Sequence, residues 1–127
     1  DYSSMLRRIV ENCLRGKETR DVLLNPNNRK DFIYAQDLAD LIFGLVEHRV
    51  VGTYNAARGR PCPYTNAIQI LINLGFQPKV HWVPEADYLG DHPIEDAVDA
   101  HRAAQFFPKI DLEEGIPLII EDLKEIV

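Results

Sequence analysis

The chain has 127 residues, 46% of them hydrophobic and 27% charged, which is the size and make-up of one soluble globular domain and excludes an intrinsically disordered chain. No apolar run nears the roughly 20 residues that a membrane-spanning helix needs, and the opening DYSSMLRRIV lacks the charged-then-apolar layout of a secretory leader. The net charge of −6 is uneven: residues 1–60 hold ten Lys/Arg against eight Asp/Glu and residues 61–127 four against twelve, so no broad basic face serves a nucleic acid, and any anion is met through the first half.

In chain order, Ser3 or Ser4 can cap a first helix. There Leu6, Ile9, Val10, Cys13 and Leu14 recur at helical spacing, Arg7, Arg8, Glu11 and Arg15 fill the polar face, and Gly16 ends it. DVLL, residues 21–24, reads as a short strand, NPNNRK as a turn-rich loop, and DFIY, residues 31–34, as a second short strand. Asp37 is expected to cap a helix over 38–48, because Leu38, Leu41, Ile42, Leu45 and Val46 then make one apolar stripe. GTYN, residues 52–55, reads as a strand and ARGRPCP as a loop. Residues 64–74 predict a helix apolar almost all round, through Ile68, Ile70, Leu71, Ile72 and Leu74, hence deep burial, and Gly75 stops it. KVHWV, residues 79–83, reads as a strand. An acidic, turn-rich stretch, PEADYLGDHPIED, leads to a short helix near 97–106. Asp111 then caps a C-terminal segment, with Glu114 at capping-box spacing. Leu112, Ile116, Ile119, Ile120, Leu123 and Val127 line its apolar face, and Pro117 is expected to kink it or delay its start.

Strands alternating with helices place the chain in the α/β or α+β class. The strands are few and short for a self-standing sheet, and the first residue is not methionine; both fit a segment of a longer protein. Two cysteines, Cys13 on an apolar helix side and Cys62 between two prolines, make no disulfide framework, so a reducing, cytoplasmic setting is expected. His48 ends a helix, where a cation suits the dipole, and His81 alternates within a strand. His92 and His101 stand near Asp91, Glu95, Asp96 and Asp99, yet the spacings match no HExxH or Cys/His ligand set, so no metal is expected.

Four stretches, in register through nearly the whole chain, resemble one family. RKDFIYAQDLAD is similar to the R-D-F-[IV]-Y-V-x-D-[LV]-A signature of the extended short-chain dehydrogenases/reductases, the NAD-dependent nucleotide-sugar epimerases and dehydratases. GTYNAARG resembles their G-x-Y-N-I-G-S-G. LGFQPKV resembles the end of the following helix and the next strand, and GDHPIEDAVDAHRAAQFFPKIDLEEGI resembles their closing segment. The resemblance implies an α/β fold: a substrate-binding lobe plus the last helix and strand elements of a Rossmann-type NAD(P)-binding fold, with the N-terminal Rossmann half absent. Residues 1–127 would then be one C-terminal substrate-binding segment.

In the family the N-terminal half carries the glycine fingerprint that holds the cofactor pyrophosphate and a Tyr-x-x-x-Lys pair for proton transfer. Neither is in this sequence: the glycines stand apart at 16, 44, 52, 59, 75, 90 and 115, and no tyrosine is followed by lysine four residues on. The resemblance therefore implies NAD or NADP in the full-length protein, no cofactor bound by this segment alone, and no catalytic residue within it. It implies as partners a nucleotide-sugar substrate, the missing Rossmann half and a homodimer, with no nucleic acid and no membrane.

The family's basic residue before D-F contacts the substrate pyrophosphate, and Lys30 matches it, with Arg29 beside it. Cations there suit a diphosphate, since charge-assisted contacts are the strong ones; the plainer reading is a solvated loop paired to Asp31. Leu23, in Val22-Leu23-Leu24, matches the segment that lines the nucleotide base, or is an ordinary core residue. The family's second phosphate-binding arginine, two residues before the G-D pair, is replaced by Tyr88, which can hydrogen-bond a phosphate or stack on a base but brings no charge. Arg58 and Arg60 add charge near the N-A-A-R-G turn, while Asp31 orders its loop. Three functions follow: the substrate-binding portion of a nucleotide-sugar epimerase, dehydratase or reductase; a catalytically inactive binding or structural homologue; or an extended dehydrogenase acting on a non-phosphorylated ketone or alcohol.

Overall fold

The computed structural model describes residues 5–25, 27–83 and 97–125. The chain divides into two compact units, one built from Asp1–Asn28, Pro63–Gly90 and Leu112–Val127, the other from Arg29–Cys62 and Asp91–Asp111.

The first unit holds α1 (Met5–Leu14), β1 (Thr19–Leu24), α3 (Tyr64–Asn73), β4 (Val80–Trp82) and α5 (Leu112–Lys124). β1 and β4 pair in parallel, Thr19 opposite Val80 and Leu24 opposite Trp82, with a shift of register between the two pairs. The Thr19 N–H donates to the Lys79 carbonyl at 2.8 Å, and the buried Thr19 hydroxyl accepts from Asn12 Nδ2 at 3.0 Å, which ties α1 to the strand. The apolar stripe of α1 (Leu6, Ile9, Val10) is buried, as are Tyr64, Ala67 and Leu71 of α3 and Ile116, Ile120 and Leu123 of α5. α5 packs on both other helices.

Two expectations fail in this unit. α3 is not buried all round: its buried residues are the stripe through Tyr64, Ala67 and Leu71, while Ile72 and Leu74 are 49% and 46% exposed. Of the two outcomes expected of Pro117, a kink or a delayed start, the delay does not occur: α5 starts at Leu112 and runs through the proline. A proline inside a helix costs about 3 kcal/mol, whereas burying Ile116, Ile120 and Leu123 contributes about 1.5–3 kcal/mol each, so burial wins.

The second unit holds β2 (Arg29–Lys30), α2 (Ala35–Glu47), a long loop ending in β3 (Cys62–Pro63), and α4 (Ala97–Ala104). Its core is Leu41, Ala100 and Ala104, with Leu45 and Phe106 packed against them. α2 and α4 lie so close that a Cβ on Gly44 would meet the Ala104 carbonyl oxygen at 2.5 Å.

Strand expectations change here. DFIY and GTYN carry strand-like residues but form no strand, whereas Arg29 and Lys30, read as loop, form β2 and pair with β3. Aromatic and β-branched residues favour extended backbone, yet a strand also needs a ladder partner, which is a tertiary matter. Asp37 is not the cap of α2. The helix begins two residues earlier, at Ala35, and its N-cap is the extended Tyr34, which makes no side-chain cap bond. Asp37 is instead buried in the first turn, and its Oδ2 accepts from the backbone N–H of Lys109 at 3.1 Å and of Ile110 at 2.8 Å. The cap of the first helix, Ser3 or Ser4, lies outside the described residues, as do Val127 and the acidic stretch 84–96. No helix among the described residues is long and apolar enough to cross a membrane.

Candidate functional site

The second unit places the two cations that open the D-F motif on its short strand β2, where Arg29 and Lys30 are both exposed. Asp31 follows, and its carboxylate is a clasp: Oδ1 accepts from the Arg58 N–H at 2.9 Å and Oδ2 from the Gly59 N–H at 2.6 Å. Two charge-assisted bonds to successive amides are strong and directional, so the R-K-D segment and the A-A-R-G turn are held as one body. Ordering a loop, the reading given to Asp31, is what its carboxylate does.

A second anchor holds the same turn. His101, buried on α4, contacts the Ala57 carbonyl through Nε2 at 2.7 Å. A carbonyl oxygen only accepts, so Nε2 carries the proton and donates. The ring is itself fixed by an edge contact with Phe107, centroids 5.5 Å apart. Gly59 adopts φ +86°, a left-handed conformation that suits glycine, and a Cβ there would stand 3.4 Å from that of Ala97. All three loop bonds fall on main-chain atoms of residues 57–59, so none of them occupies the Arg58 side chain.

Cys62, on β3, reports the local field. Burial pushes its thiol up; the Arg58 charge pulls it down, Asp31 raises it and Arg29 lowers it. Arg58, Asp31 and Arg29 thus each act on this thiol. Of the other expected site residues, Leu23 lies on β1 of the first unit, and Tyr88 lies outside the described residues. Sequence reading missed the His101 anchor and the place of Arg58, because Asp31 to Arg58 and Ala57 to His101 are contacts 27 and 44 residues apart with no periodic signal. Among the described residues no three His, Cys, Asp or Glu side chains stand together as a metal-ligand group.

No protein-family model and no curated protein sequence matches the chain. Its fold is similar to the C-terminal part of solved NAD-dependent epimerase and dehydratase enzymes, the likeness that its motifs implied. It is similar to ADP-L-glycero-D-manno-heptose-6-epimerase from Helicobacter pylori, with a TM-score of 0.77 and 18% identity over 98% of this chain and 38% of that one. UDP-glucuronic acid 4-epimerase from Bacillus cereus, solved with NAD, matches with a TM-score of 0.77 and 16% identity over 97% of this chain and 40% of that one. TunA, an NAD-dependent NDP-hexosamine 5,6-dehydratase involved in tunicamycin biosynthesis, matches with a TM-score of 0.75 and 22% identity over 97% and 41%. The chain thus spans about two fifths of the length of these enzymes.

Proposed function

We propose that this chain is the substrate-side segment of an NAD(P)-dependent enzyme that epimerises, dehydrates or reduces a nucleotide-activated sugar. Its task is to hold the substrate diphosphate while the rest of the enzyme supplies the cofactor. The observation that carries the reading is the exposed Arg29–Lys30 strand, fixed through Asp31 to the A-A-R-G turn. Two cations on a rigid edge offer a preformed site for a diphosphate, and positioning of that kind lowers the entropy cost of reaction. The enzymes that share the fold act on ADP-, UDP- and NDP-linked sugars.

The residues of this segment do not fit a dinucleotide. Among the described residues the glycines that adopt positive φ, Gly16, Gly52, Gly59 and Gly75, are far apart in sequence, so they assemble no fingerprint loop. NAD or NADP belongs in this reading to the complementary part of the enzyme, where it would supply the hydride-transfer chemistry. The chain's own work is to bind and orient.

The test is binding and turnover of the full-length protein with ADP-, UDP-, GDP- and dTDP-linked sugars in the presence of NAD or NADP. Lys30→Ala is expected to weaken nucleotide-sugar binding about tenfold, the size of one charged hydrogen bond. If no nucleotide sugar binds, the reading is wrong. A second reading is favoured by Tyr88, which stands where the family has a phosphate-binding arginine: a substrate ketone or alcohol without phosphate. Under it, turnover of such a substrate would be indifferent to Lys30→Ala.

A further inference from the structure

We infer that Arg58 is a phosphate-contacting cation of this site, acting with Arg29 and Lys30 where the family's second arginine is replaced by Tyr88. The inference rests on the nucleotide-sugar reading and names the residue that completes its charge.

A diphosphate carries more than one negative charge, so a further cation close to Arg29 and Lys30 would strengthen its binding. The turn that carries Arg58 has a fixed backbone. Its amides at 58 and 59 are held by Asp31, the residue directly after Lys30, and its carbonyl at 57 is held by the buried His101. Gly59 makes the bend in a left-handed conformation, close against Ala97. Three bonds and a packed glycine fix the backbone on either side of one half-buried arginine, and two of those bonds come from Asp31, next to the other two cations. Arg58 and Arg29 each act to lower the Cys62 thiol against the effect of burial. Arginine also suits the role chemically, because its planar fork matches two phosphate oxygens at once.

The backbone character of these anchors makes the test clean. Arg58→Ala keeps every main-chain bond of the turn, so melting temperature should stay near wild type while anion binding changes. The full-length protein is titrated calorimetrically at low salt with ADP, UDP, GDP, dTDP and inorganic pyrophosphate, as wild type and as Arg58→Ala, Arg58→Lys and Lys30→Ala. Arg58→Ala is expected to weaken the bound diphosphate about tenfold or more, with Arg58→Lys recovering part of the loss by keeping the charge without the fork. If Lys30→Ala weakens binding and Arg58→Ala does not, the inference is overturned and the nucleotide-sugar reading stands. If pyrophosphate binds in an Arg58-dependent way but no nucleoside diphosphate does, Arg58 holds phosphate and the nucleotide reading fails. Titrations that are flat for every ligand overturn both.

Discussion

Asp37 shows how one residue can have a plausible local role and a different real one. Its carboxylate is 1% exposed and accepts two backbone bonds from residues 109 and 110, closing the chain segment after α4 onto the first turn of α2. Its charge there also complements the helix dipole. Hydrogen bonds to a charged group contribute about 1.5–3 kcal/mol each, and truncation leaves two amides without their acceptor. Asp37→Ala is therefore expected to lower the unfolding free energy by about 3 kcal/mol in urea titrations. Asp37→Asn keeps an acceptor oxygen in place and should lose about half as much. Equal losses for the two would mean that charge, not the acceptor position, is what the fold uses.

At the scale of elements, the helix ends are alike in geometry and unlike in sequence. α1 to α4 each close with a residue in the left-handed region: Gly16, Arg49, Gly75 and Gln105. Each closure carries the same paired backbone bonds, for example Val50 N–H to the Leu45 carbonyl and Arg49 N–H to that of Val46, both at 3.0 Å. A side chain in this conformation costs about 1–2 kcal/mol, and glycine avoids most of it. Arg49→Gly and Gln105→Gly should each raise stability by about 0.5–1 kcal/mol in urea unfolding, after the entropy that glycine adds to the unfolded chain. Gly44 runs the other way. Alanine in mid-helix gains about 1 kcal/mol of propensity, but here its Cβ would press on the Ala104 carbonyl of α4, 2.5 Å away. Overpacking costs about 1–3 kcal/mol, so Gly44→Ala should destabilise, seen as a lower urea midpoint. A gain would mean that α2 and α4 separate easily.

For the molecule as a whole, two properties can be measured directly. Burial raises the thiols of Cys13 and Cys62 and the phenol of Tyr64 above their ordinary values. The folded chain then holds these protons more tightly than the unfolded chain, and stability is lost as pH rises from the unfolded value through the folded one. Melting temperature should fall progressively above pH about 8.5, where unfolded thiols begin to ionise. Cys13→Ser with Cys62→Ser should flatten the first part of that fall. The second property is association. Phe43 and Val46 on α2 are 65% and 70% exposed, with Ile42 and Val51 also open to solvent. Contiguous exposed apolar surface promotes self-association, so residues 1–127 produced alone should associate with rising concentration in sedimentation runs. Phe43→Ser with Val46→Ser should reduce it. A monomeric 127-residue product that melts cooperatively would argue against its being a segment of a larger fold.

The helices were legible in the sequence because their information is local. Leu6, Ile9 and Val10, or Ile116, Ile120 and Leu123, announce a buried face by spacing alone, and Gly16 and Gly75 mark ends because only glycine is at ease there. The motif order likewise pointed to the C-terminal part of an extended short-chain dehydrogenase, and the fold agrees. What the tertiary structure decided is everything that depends on a partner distant in sequence. It denied DFIY and GTYN a ladder and gave one to Arg29–Lys30. It turned Asp37 from a cap into a clasp and let Arg49 and Gln105 end helices without glycine. It also tied the Arg58 amide to Asp31, because a hydrogen bond between residues 27 apart leaves no periodic trace in the chain that forms it.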